Sequence, residues 1–190
     1  MTNKERDLID ILIKTPYMSK KNIFGKYSGN NFDGVKAGFL RNFTVDITQH
    51  PEYLKQLFVD VFNEKNNYDV EKLIILSGIF GLINEDLIDV LIKIILEPWH
   101  YWHESIASIF EQLKSPKTTD ALFAVATNHY KYLDFELGHR MLQVQCIWSL
   151  GAINTKEARE KIIEIAQVSD DLEVKERAEL QLRGERGSML

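Results

Sequence analysis

Apolar residues return at three- and four-residue intervals through most of this chain, the spacing that lines one face of an α-helix. The stretch 4–14 shows it first, with Leu8, Ile9, Ile11, Leu12 and Ile13. Over 15–33 the pattern fails. Pro16, Gly25, Gly29, Asn30, Asn31 and Gly34 are turn formers, and Tyr17, Phe24, Tyr27 and Phe32 lie between them. This predicts an irregular cap whose aromatics cover the outer face of a first repeat. Helical periodicity resumes over 35–45, 52–63, 69–80, 85–97, 99–113, 117–128, 137–150, 155–168 and 172–182. Pro51, Pro98 and Pro116 mark boundaries, because the residue before a proline avoids the helical region. Asn84 and Thr155 are placed as N-caps, Thr155 without a reciprocal Glu or Gln three residues on. The spacing predicts an all-α chain of antiparallel helix pairs with short loops.

A helical phrase recurs within this pattern. One copy runs from Leu142 through Cys146, Ile147, Leu150 and Gly151 to Ile153 and Asn154; another ends in Phe80, Gly81, Leu82, Ile83 and Asn84. The reading places Gly81 and Gly151 alike, each just past a helix. It aligns Leu73, His103, Gln143 and Lys175 at spacings of about 30, 40 and 32 residues. Such a period predicts about four stacked helix pairs over 51–184, an N-terminal cap over 1–50, and a disordered tail over 185–190.

Charge narrows the partners. The formal net charge is −5, which disfavours gripping a phosphate backbone and favours a basic partner. Lys14, Lys20, Lys21 and Lys26 fall close together and read as a solvated face. The one cysteine, Cys146, lies in an apolar stripe and reads as a small buried hydrophobe. The charged N-terminus lacks a signal peptide's apolar core, and the longest apolar run, 87–96, is too short to span a bilayer. A cytoplasmic protein without membrane contact is expected.

The residues Gln143 to Ile153, Glu157-Ala158, Ile162 to Ala166 and Asp170 to Lys175 resemble the bacterial HEAT-like repeat, over roughly 101–183 and more faintly over 52–99. The resemblance implies an α/α superhelix, a HEAT-like solenoid whose second helices line a concave surface. Trp102-His103-Glu104, Ile106, Leu113-Lys114, Pro116 and Trp148 to Gly151 are similar to short HEAT-like proteins encoded beside polymorphic toxins. That implies an immunity protein binding a toxin domain with a basic surface. The competing reading is a nucleic-acid-binding or glycosylase-like HEAT protein.

Candidate chemistry concentrates in two places. The stretch Trp99, His100, Tyr101, Trp102, His103 and Glu104 is rich in possible ligands. However, HEAT-like di-iron enzymes need several His-Glu pairs, and His103-Glu104 is the single pair at the aligned positions. No cofactor, no metal and no catalysis are expected. The surplus of the long repeat falls at 128–137, which carries Tyr130, Tyr132, Asp134, Phe135 and Glu136. Insertions of this kind project from one edge of a solenoid. Two readings stay open: a partner-binding element or a local plug. The expected protein-binding set is Trp99, Tyr101, Trp102, His103, Glu104, Tyr130, Tyr132, Asp134, Glu136, Asp170 and Asp171. The two aspartates would join the loop's carboxylates in an acidic ridge beside the 99–104 helix start.

Overall fold

The computed structural model describes residues 1–18, 29–135 and 137–185. Every regular element among them is helical: α1 (Asn3–Met18), α2 (Gly29–Asn42), α3 (Pro51–Glu64), α4 (Asn67–Phe80), α5 (Ile88–Ile95), α6 (His103–Leu113), α7 (Thr119–Thr127), α8 (Gly138–Ile153), α9 (Lys156–Val168) and α10 (Leu172–Leu182). Short 3-10 turns at Glu85–Leu87 and Pro116–Thr118 lead into α5 and α7, and a third occupies Lys131–Leu133. The all-α expectation holds. The irregular cap over 15–33 is replaced by helix at both ends: α1 continues through Met18 and α2 already begins at Gly29, so Pro16 and Gly34 sit in helices, while 19–28 lie outside the described residues. Turn-forming composition was outweighed there by the packing of α2 against α1. Phe24, Tyr27, Lys20, Lys21 and Lys26 lie outside the described residues, as does the predicted tail from 186 onward.

The chain divides into two compact units, residues 1–82 and 83–190, so the division falls inside the span read as repeats. In the first unit α1 packs on α2 and α4, and α3 pairs with α4. Phe39 and Phe43 of α2 stack at 4.6 Å, and Phe80 tilts against Phe39 at 5.5 Å. Thr2 and Glu5 form a reciprocal capping box at the start of α1: the Glu5 amide donates to Thr2 Oγ1, and the Thr2 amide donates to Glu5 Oε2 at 2.7 Å. The buried Glu5 also accepts from Tyr53 Oη at 2.7 Å, tying α1 to α3. Burial alone would raise its pKa; the donors of Thr2, Tyr53 and Thr44 outweigh it and hold the carboxyl below its ordinary value. Arg6 bridges to the buried Asp69 of α4 at 2.7 Å.

The second unit is built from stacked hairpins. The helices α5, α7 and α9 form one layer and α6, α8 and α10 the other, because each hairpin's second helix packs on the second helix of its neighbour. The central α8 touches α6, α7, α9 and α10, so it is buried nearly all round from Leu142 to Leu150. Its polar interior residues have partners: the Ser149 hydroxyl donates to the Ala107 and Gln145 carbonyls, and the Gln145 amide donates to Glu111 at 2.9 Å. A buried helix carrying polar groups is stable only with such pairing.

The repeat register differs from the sequence alignment. Gly81, Lys114 and Asn154 are the left-handed caps of α4, α6 and α8, with φ of 64, 54 and 55°. Aligned on those caps, Leu73, Ile106 and Cys146 coincide, and all are fully buried. His103 falls three residues before that position. Gly151 is no cap at all: it lies in the last turn of α8, where a Cβ would run into the Gln181 side chain of α10.

Candidate functional site

The 99–104 stretch and the 128–137 loop meet, as expected, but mainly as a buried cluster. His100 and His103 are both fully buried, and their rings stack at 4.2 Å. His100 Nε2–H donates to the Ile94 carbonyl at 2.6 Å, and its Nδ1 accepts from the Trp102 amide at 3.0 Å. His103 Nε2–H donates to the Glu97 carbonyl at 3.0 Å, and its Nδ1 accepts from Tyr132 Oη at 2.7 Å. A carbonyl can only accept, so both rings are neutral Nε2–H tautomers with every nitrogen used. Burial, with His100 alongside and against the Glu97 carbonyl bond, pushes the His103 pKa down to about 3; burial lowers that of His100 also. Neither imidazole has a lone pair left for a metal.

The loop closes over this pair. Tyr130 is 2% exposed, with its ring 4.0 Å from that of His103. Tyr132 is half-buried and Leu133 points inward. Burial raises the pKa of both tyrosines, so both stay protonated. His103 and Tyr130, expected on an interaction surface, are therefore interior residues, because the ring nitrogens and apolar faces of the cluster satisfy one another. Tyr101 remains 59% exposed and leans on Tyr132 at 5.0 Å. Trp99 and Trp102 are half-buried, and the Trp99 Nε1–H is buried with no partner among the described residues. The plug reading describes 130–133, while Asp134 and Phe135 face outward. Glu136 lies outside the described residues.

Of the predicted acidic ridge, Asp134 and Asp171 each hold partners of their own. Asp134 Oδ1 accepts from His139 Nε2 at 3.1 Å and from His129 Nε2 at 3.2 Å. The His139 bond, against a small burial effect and with the two histidines' charges behind it, lowers the Asp134 pKa. Asp171 caps α10, accepting from the Glu173 and Val174 amides, and pairs with Arg140 Nε at 2.7 Å. Asp170 is exposed in the same turn. Asp171 serves capping and pairing first because its carboxylate lies at a helix start where unsatisfied amides converge.

A groove on the α6–α8–α10 layer was not foreseen. Leu137, Met141, Val144 and Trp148 form its floor; Glu104, Arg140, Glu173 and Arg177 form its rim. Met141 is 44% exposed above the nearly buried Trp148. Arg140 is held by Asp171 and Glu173, and Arg177 by Glu173 at 3.3 Å. Of the expected set, Glu104 alone lines this groove. The rest could have been found from the positions 137, 141, 144 and 148, whose three- and four-residue steps mark one face of α8. No protein family, curated protein or solved structure matches this chain.

Proposed function

We propose that this chain is a non-catalytic protein-binding module acting in the cytoplasm, and that it neutralises a toxin domain by occluding it. The groove on the α6–α8–α10 layer carries the proposal, since an apolar floor ringed by charged side chains has the anatomy of a protein-docking patch. Met141 and Leu137 stand out of that floor and offer the desolvatable contacts on which docking energy concentrates. Charge supports a basic partner: residues 83–190 hold 18 carboxylates against 12 Lys and Arg, so the net negative charge of the chain resides in this unit. The nucleic-acid reading finds no support at the groove, whose two arginines are bonded to carboxylates. The HEAT-like resemblance adds the toxin-neutralising role.

The test is co-expression with the C-terminal domain of any large secreted toxin that a neighbouring reading frame encodes. Growth rescue by the wild-type chain is expected, together with a complex of micromolar affinity or tighter by calorimetry. The variants Met141→Glu and Leu137→Glu, both at exposed positions, should weaken binding at least about tenfold with unchanged helicity. Rescue and affinity undiminished in both would remove the groove from the account. Absence of any complex with that domain would remove the toxin-neutralising role.

A further inference from the structure

Three ligand-type side chains converge outside the groove and outside the buried cluster. His129 opens the 128–137 loop, Asp134 follows its 3-10 turn, and His139 is the second residue of α8. The chain leaves α7, turns through Lys131–Leu133 and re-enters a helix at Gly138. This path brings residues five and ten positions apart to one point. One ligand atom from each of the three lies within 4.8 Å of the other two. The two Nε2–Oδ1 separations are 3.2 and 3.1 Å, and the imidazole planes lie 20° from parallel.

The two histidine–aspartate separations match a metal's requirement, and the two histidines stand close enough to share an ion after a small adjustment. Zinc binds histidine nitrogen and carboxylate oxygen at about 2.0–2.2 Å, so neighbouring donors on its tetrahedron stand roughly 3.3 Å apart. The donor set is two imidazoles and one carboxylate, which suits a borderline divalent transition ion rather than the hard magnesium or calcium ions. The side chains have room to adjust, since His129 and Asp134 are exposed and His139 is partly so. The adjacent cation does not oppose this, because Arg140 is turned to Asp171 and Glu173. By contrast, His100 and His103 spend all four ring nitrogens on the protein itself.

We propose that His129, Asp134 and His139 form a three-ligand site for a divalent transition-metal ion of the zinc class. Bound there, the ion ties both ends of the 128–137 loop together at the start of α8. Its fourth coordination position faces solvent and can hold water or a donor from a docked protein. The proposal does not depend on the toxin-neutralising reading.

Calorimetric titration of the tag-free, full-length chain with zinc chloride tests it, together with visible absorption of the Co²⁺-loaded protein. One ion per chain is expected, with a low-micromolar or tighter dissociation constant and the intense visible bands of tetrahedral cobalt. Asp134→Asn and His139→Gln should each weaken binding at least about tenfold. His50→Gln, altering another exposed histidine, should leave binding unchanged. Circular dichroism of each variant distinguishes lost ligation from lost fold, since all three ligands are surface groups. No binding at about 100 μM free zinc, or equal affinity in the Asp134 and His139 variants, overturns the proposal.

Discussion

His100 and His103 show how a polar side chain can serve as core. Each ring is fully buried, donates from Nε2 to a main-chain carbonyl and accepts at Nδ1. Protonating His100 would point a new N–H at the Trp102 amide, so two donors would face each other. Both imidazoles titrate below the ordinary 6.5, His103 near 3. The unfolded chain therefore takes up protons that the folded chain refuses. Their contribution to stability is complete above about pH 6.5 and is lost progressively as pH falls toward 3. The slope is up to about 1.4 kcal/mol per pH unit for each ring. Urea unfolding between pH 6.5 and 4.5 should show this slope, and His103→Gln should reduce it. An unchanged slope in that variant would mean that His103 does not carry the effect.

At the scale of elements, the loop joining α7 to α8 is fixed by a close approach at its end. A Cβ on Gly138 would lie 2.5 Å from the Leu133 carbonyl oxygen and 2.7 Å from the Phe135 ring. Gly138→Ala should therefore destabilise the second unit by about 1–3 kcal/mol, the usual penalty of forced overpacking. The same variant should weaken metal binding, because His139 follows directly. Urea unfolding checks the first effect and zinc calorimetry the second; a variant as stable as the wild type would show that the loop yields freely.

The helices themselves were legible because burying an apolar stripe leaves a period in the letters. The repeat register was not. Gly81 and Gly151 are the same residue in similar phrases, yet one supplies a left-handed backbone and the other makes room for Gln181. A letter does not say which property of glycine is in use. The capping box of Thr2 and Glu5 is written in the sequence at its expected three-residue spacing. The groove and the His129–Asp134–His139 cluster were harder to see. The first needs three helices of one layer, and the second depends on a turn whose path no helical or strand period encodes.

For the whole molecule, two compact units of different charge imply different tasks. Residues 1–82 carry 10 carboxylates and 11 Lys and Arg, nearly balanced, while 83–190 hold the acidic surplus. Among the described residues no helix is long and apolar enough to cross a membrane. A basic partner steered by the second unit should associate more slowly as salt rises, with a weaker effect on dissociation. Stopped-flow association between about 50 and 300 mM salt measures it. A salt-independent rate would show that apolar contact alone governs the encounter.

The central position of α8 also makes the chain its own clock. Cys146, the single thiol, is fully buried on that helix, and burial raises its pKa further from the reactive thiolate. Reagent can reach the sulfur only when α6, α7, α9 and α10 come away, since those helices surround α8. Thiol labelling under native conditions should thus proceed at the rate of global opening of the second unit. Where reclosing outpaces labelling, each partner or ion that stabilises the unit should lower the logarithm of the labelling rate in proportion to the stabilisation it confers.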